Sequence, residues 1–145
     1  MINIHLKMNS LLIICTGNSC RSQMAHGFLN SISKNLDVFS AGTKPEPVNK
    51  YAIKVMSQIG IDISLYNSNN VNEYSSMSFD YIITVCDKAK VLCPVFSNSH
   101  QFIHKSFLDP ADAKGTEDEI ILQYIEVRDQ LTNFLKDFLQ EKFSN

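Results

Sequence analysis

Apolar residues in this chain fall into short runs and helically spaced sets that alternate along its length. Leu11 to Cys15 is an unbroken apolar run that stops at Thr16-Gly17-Asn18, the pattern of a buried strand entering a turn. From Arg21 to about Ile32 the apolar residues Met24, Phe28, Leu29 and Ile32 recur at helical spacing, so strand, loop and helix follow one another directly. Val38 to Ala41 reads as a second strand. Pro47 to Ile59 reads as a second helix, with Pro47 near its first turn, Val48, Ala52, Val55 and Ile59 as its buried stripe, and Gly60 as its stop. Asp62 to Ser78, rich in Asn and Ser, reads as a long, partly helical connection. Tyr81 to Val85 is the most strand-like run, and Gln101 to Phe107 is a weaker fourth strand. Thr116 and Glu119 then form a capping box for a closing helix. Ile120, Tyr124, Val127, Leu131, Phe134 and Phe138 supply its apolar stripe.

Strands alternating with helices imply an α/β fold, a three-layer arrangement with a central four-stranded parallel sheet flanked by helices. With 145 residues, 44% of them hydrophobic and 19% charged, the chain fits one core, so residues 1–145 are expected to form a single domain and a monomer. A formal net charge of −2 gives no global reason to bind nucleic acid or an anionic membrane, so any anion site is local. Leu11 to Cys15 is too short for a signal-peptide core or a membrane span, which makes the cytoplasm the expected compartment. In that compartment the four cysteines are reduced, reactive or metal-binding thiols rather than structural bridges.

The candidate chemistry lies in Cys15-Thr16-Gly17-Asn18-Ser19-Cys20-Arg21-Ser22, where five residues separate a cysteine from an arginine at a strand-to-helix junction. Such spacings also arise by chance; the junction is what gives this one weight. A loop there can turn successive backbone N–H groups inward and aim a helix N-terminus at the same point, making a nest for a tetrahedral oxyanion out of residues 16–22. Gly17 and Asn18 tolerate the positive φ this requires. The same field should lower the pKa of Cys15 and make it a nucleophile. Arg21 offers a planar fork to two anion oxygens, and Ser22 a hydroxyl to the thiolate.

Asp109-Pro110 is the second feature. Proline holds Asp109 extended, so its carboxyl can serve as a general acid, although Asp-Pro is more often an ordinary turn. Cys86 and Cys93 are the third. Spaced about two helical turns apart, they would lie on one helix face roughly 10 Å from each other. They could be structural cysteines, or join Cys15 and Cys20 in a zinc site, though neither spacing is the usual tight pair.

The run CTGNSCRSQMA from Cys15 to Ala25 closely resembles the signature of thioredoxin-coupled arsenate reductases, relatives of the low-molecular-weight tyrosine phosphatases. The likeness continues through FSAGT at Phe39 to Thr43, TVCDKAKVLCP at Thr84 to Pro94 and DPADAKGTEDE at Asp109 to Glu119. The resemblance implies that Cys15 attacks arsenate, Cys86 attacks the arseno-thiolate to release arsenite, and Cys93 takes over the disulfide for reduction by thioredoxin. It implies that Arg21 and Ser22 bind the anion and stabilise the thiolate, that Asn18 shapes the loop, that Asp109 is the acid, and that Cys20 stands outside the relay. Phosphate and sulfate are expected competitors. No tightly bound cofactor is implied, with thioredoxin or another small dithiol protein as the external reductant. A disulfide needs Cα atoms within about 7 Å, so Asp87 to Leu92 is expected to be helical when reduced and looped out when oxidised.

Some members of that family bind a structural potassium ion through an acidic residue after QMA and another in the long connection. Here His26 and Asn69 take those places, removing the carboxylates that attract the cation, so no metal site is expected. A phosphatase is the nearest rival. Against it stand Gln23 where phosphatases usually carry proline, Ala111 and Asp112 where they usually place tyrosines, and the lack of any task for Cys86 and Cys93. A non-catalytic oxyanion-binding or zinc-dependent module is the alternative of a different class.

Overall fold

The computed structural model describes residues 9–92, Phe96 and 101–143. Four strands, β1 (Asn9–Cys15), β2 (Leu36–Gly42), β3 (Tyr81–Thr84) and β4 (Gln101–His104), form a parallel sheet in the order β2-β1-β3-β4. Four α-helices, α1 (Arg21–Ile32), α2 (Lys50–Ser57), α3 (Asp87–Leu92) and α4 (Glu117–Phe143), alternate with the strands. Every side chain from Leu11 to Cys15 is buried. Adjacent strand residues point to opposite faces, so both faces of β1 are covered and the three-layer expectation holds. In register, Ile13 lies beside Ser40 on one side and Ile83 on the other. The chain leaves β1 toward β2 on one side and reaches β3 on the other, which opens a crevice at the carboxyl end of β1.

Several boundaries move. β1 includes Asn9 and Ser10, where Ser10 and Asp80 bond reciprocally: the Ser10 amide donates to Asp80 Oδ2 at 2.8 Å and the Asp80 amide to Ser10 Oγ at 3.1 Å. β2 runs from Leu36 to Gly42, and β4 ends at His104 rather than Phe107. α2 starts after Asn49, not at Pro47, since Asn49 Oδ1 accepts from the Tyr51 and Ala52 amides at 2.8 and 3.2 Å. Gly60 stops it as expected, with φ 79° and the Ile61 amide bonding back to Met56 O. Met56 joins Ala52 and Val55 in the core, whereas Ile59, past the helix end, is exposed. In the long connection only Val71–Tyr74 forms a helical turn, a 3-10 turn boxed by Asn70 and Glu73.

The Thr116–Glu119 box is present, with the Glu119 amide donating to Thr116 Oγ1 at 3.2 Å and the Glu119 carboxylate accepting from the Thr116 amide at 3.3 Å. Of the stripe on α4, Tyr124, Val127, Leu131 and Phe138 are buried, joined by Leu135, while Ile120 and Phe134 are half-buried. Arg128 is also buried on this face and ties α4 to α2 by donating to Val55 O at 2.9 Å. No helix among the described residues is long and apolar enough to cross a membrane.

Candidate active site

The loop from Cys15 to Ser22 sits at the crevice, and the bonds made by its carbonyls fix its shape. Cys15 O accepts from the Thr43 amide, Thr16 O from Lys44, Gly17 O from Glu46, and Ser19 O from Asn49, at 2.8–3.2 Å. Asn18 O accepts from Gln23 Nε2 at 3.0 Å and from Ser68 Oγ at 2.7 Å. With these carbonyls held by outside partners, the Asn18 and Ser22 amides bond inward to the Cys15 sulfur, the arrangement an anion nest requires. Asn18 has φ 48°, the only non-glycine residue with positive φ among those described. The Asn18 side chain holds the loop from both ends, donating from Nδ2 to Ser22 Oγ at 2.7 Å and accepting the Asn69 amide on Oδ1 at 2.9 Å. Gly42 backs the loop so closely that a Cβ there would lie 2.5 Å from Thr16 O.

Cys15 Sγ lies at the focus, 2.9 Å from Ser22 Oγ and 3.2 Å from the Asn18 amide that donates to it. Burial pushes the thiol up from its ordinary value. The Ser22 hydroxyl and amide, the Arg21 charge and the Asn18 amide pull it back. The expected lowering is therefore not met in this structure: burial strips away most of the water that would solvate a thiolate, and that penalty exceeds the loop's pull. Cys20 is buried at the start of α1 with its thiol 3.8 Å from Tyr124 Oη, and burial pushes it up to about 11.

Arg21 Nη1 donates to Phe107 O at 2.9 Å and Nη2 pairs with an Asp109 oxygen at 3.3 Å, while the buried Nε has no partner among the described residues. Arg21 thus brings Asp109 over the nest instead of leaving its whole fork free. Asp109 caps the turn Pro110–Asp112 by accepting the Ala111 amide at 3.0 Å. Cys15, Arg21 and Asp109 line a cavity of about 130 Å³, well below the roughly 300–1,000 Å³ of sites for drug-sized ligands. A small tetrahedral oxyanion fits such a space. Lys44 and Glu46 on its rim were missed, since no motif marks a segment that contacts the loop through backbone atoms.

Cys86 stands just before α3, buried, with its sulfur 3.2 Å from Thr16 Oγ1 and accepting the Ala89 amide at 3.4 Å. It lines a second cleft whose walls share Thr16, Arg21 and Asp109 with the first, so the Cys86 cleft adjoins the Cys15 cavity. Cys15, Cys20 and Cys86 are free thiols. Cys93 lies outside the described residues; the six residues before it are the helix α3. Among the described residues no group of three or more His, Cys, Asp or Glu could hold a metal ion. Where the potassium-binding relatives carry carboxylates, His26 Nδ1 lies 2.8 Å from Ser40 Oγ and Asn69 Nδ2 donates to Ser40 O at 3.4 Å. Burial lowers His26 to about 4, so its imidazole is neutral at pH 7.

Residues 10–142 match the family model described as low molecular weight phosphotyrosine protein phosphatase. The chain belongs to this family. An arsenate reductase of Halalkalibacterium halodurans is 38% identical over 92% of the chain and 98% of the relative, and one of Bacillus subtilis is 37% identical over 90% and 94%. A solved structure described as an arsenate reductase in the phosphate binding state superposes with a TM-score of 0.80 at 27% identity, covering 92% of this chain and 98% of that one. The four-stranded parallel sheet flanked by helices and this superposition bear out the sequence reading of the fold.

Proposed function

We propose that this member of the family is an arsenate reductase in which Cys15, Cys86 and Cys93 act in succession. The observation that carries the reading is the adjacency of the two thiols: Cys15 lines a cavity sized for an oxyanion, Cys86 lines the cleft that shares its Thr16, Arg21 and Asp109 walls, and the Cys86 sulfur lies 3.2 Å from Thr16 Oγ1 of the loop. Residues 16–22 hold arsenate, for which phosphate and sulfate compete. Cys15 Sγ bonds to arsenic, and an arsenic-bound hydroxyl leaves as water after taking a proton that Asp109 is placed to deliver. Ser22, Asn18 and Arg21 lower the cost of the thiolate that forms as Cys15 gives up its proton.

Cys86 then attacks Cys15 Sγ. The sulfur–arsenic bond breaks with its electron pair going to arsenic, which leaves as arsenite, and a Cys15–Cys86 disulfide remains. Exchange with Cys93 frees Cys15 and yields a Cys86–Cys93 disulfide, which an external dithiol reduces. Thioredoxin is the proposed reductant and the cytoplasm the proposed compartment, because the cycle needs a supply of reducing equivalents. No resident cofactor or metal enters.

The test follows NADPH oxidation with arsenate, thioredoxin and thioredoxin reductase. Wild-type protein should turn over, whereas Cys15→Ser and Cys86→Ser should not. The family also supports slow phosphate-ester hydrolysis, which needs Cys15 and water but no second thiol. That activity should survive Cys86→Ser. Arsenate-dependent NADPH oxidation that never appears in wild type sinks the reductase reading, and oxidation that persists in Cys86→Ser sinks the relay through Cys86.

A further inference from the structure

His104 belongs to no motif and touches neither the nest nor Cys15, yet it bridges the sheet to the residue that follows Cys86. It closes β4 and pairs in register with Thr84, the last residue of β3. Its Nδ1 lies 2.8 Å from Thr84 Oγ1 and its Nε2 3.0 Å from Asp87 Oδ1. A carboxylate only accepts, so Nε2 carries a proton and donates to Asp87; Nδ1 then accepts the Thr84 hydroxyl in the neutral ring or donates to it in the charged one. The bridge forms in either state.

Sheet-like bonds hold the chain as far as Val85, whose amide donates to Ile14 O at 3.0 Å and whose carbonyl accepts from Phe107 at 3.0 Å. After Val85 that ladder stops, and the Cys86 carbonyl accepts the Lys90 amide within the helix at 3.2 Å. Cys86 is thus the joint between an anchored strand and α3, and the Asp87–His104 bond spans the joint from outside.

We propose that His104 is a positioning residue of the redox cycle: by pinning Asp87 to the end of the sheet, it sets how readily the start of α3 lets Cys86 enter a disulfide. The proposal rests on the reading that Cys86 and Cys93 form that disulfide. Residues two helical turns apart are about 10 Å from each other, beyond disulfide reach, so α3 must unwind on oxidation. Asp87, bonded covalently to Cys86, moves with it, whereas His104 is held by the sheet. The clasp therefore exists in the reduced state and breaks in the oxidised one. Asp87 is 82% exposed, so the bond is weak enough to break in each cycle. An exposed pair of this kind corresponds to roughly a two- to fivefold bias. For a two-electron couple that bias is about 10–20 mV.

Redox titration of the full-length protein against defined dithiol buffers measures this directly, because a loss of stability common to both states cancels from the potential. His104→Ala should make the disulfide potential about 10–20 mV more negative, since the reduced state alone loses the bond. Asp87→Ala, at an exposed position that folding tolerates, should shift it the same way, and the double variant should go no further than Asp87→Ala alone. Removing Asp87 also takes an acid from the first turn of α3, so the non-additivity identifies the clasp. Cys86→Ser should abolish the couple. A wild-type potential in His104→Ala, a shift to less negative values, or full additivity in the double variant overturns the clasp while the relay stands. If Cys86→Ser leaves the couple unchanged, the relay itself is wrong.

Discussion

Ser22→Ala isolates the balance that sets the nucleophile. Ser22 is fully buried, and its hydroxyl lies 2.9 Å from Cys15 Sγ while accepting from Asn18 Nδ2 at 2.7 Å, which leaves its own proton to point at the sulfur. That hydroxyl is the strongest of the groups opposing the upward push of burial on Cys15. A hydrogen bond to a charged group contributes about 1.5–3 kcal/mol, and one pKa unit is about 1.4 kcal/mol. The Cys15 midpoint should therefore rise by about one to two units in the variant. Because the more basic thiolate is also the better nucleophile, alkylation at fixed pH falls less than the thiolate fraction does. The titration midpoint is the sounder readout. It is obtained by following iodoacetamide labelling of the Cys15 peptide by mass spectrometry from neutral to alkaline pH. A midpoint within a few tenths of a unit of wild type, in a variant that still folds, refutes the role given to Ser22.

Gly42→Ala should weaken phosphate inhibition at least tenfold and lower thermal stability by about 1–3 kcal/mol, because the new Cβ meets the Thr16, Gly17 and Asn18 backbone at 2.5–3.0 Å. Asp109→Asn should lower arsenate turnover by about a hundredfold or more with little change in phosphate affinity; unchanged turnover removes Asp109 as the acid. His26, neutral when folded with a value of about 4, adds stability that is complete above its ordinary 6.5 and is lost as pH falls from there toward 4. The acid limb of a melting-temperature profile should flatten in His26→Gln. Potassium should raise the melting temperature no more than sodium at equal ionic strength, since a neutral imidazole and an amide replace two carboxylates.

The sheet and most of the helices were legible because periodicity reports burial directly: Leu11 to Cys15 is an apolar run since both faces of β1 are covered. Boundaries were less legible where a polar side chain decides them. Asn49 outcompetes Pro47 as the start of α2, and the Ser10–Asp80 exchange sits at the start of β1; both depend on partners fixed only after folding. The Cys15–Ser22 loop could be read from residue types and its junction position. Its support could not: Ser68 and Asn69 lie about fifty positions from Asn18 in a connection with no periodicity, and Lys44 and Glu46 act on the loop through backbone amides that any residue carries. The direction of the Cys15 shift was misjudged for a related reason, since the depth of burial is a property of the packed fold and not of the motif.

The chain carries chemically identical thiols, and their surroundings divide the labour. Cys15 is held by a loop whose carbonyls are clamped by residues 43–49 and whose asparagine is braced by Asn69, so its sulfur stays fixed while bonds to it are made and broken. Cys86 stands at the start of α3, and the anchoring at that start includes one bond from His104 to an exposed carboxylate. Cys20, nearer to Cys15 along the chain, lies against Tyr124 with its thiol pushed up to about 11, so it does not ionise at neutral pH, and it stands at the start of α1 rather than in a segment that must rearrange. Proximity alone therefore does not select the second thiol. In the proposed relay what selects it is attachment to a segment that can unwind in each cycle, and Cys86, among the free thiols of the described residues, stands at the start of one, α3.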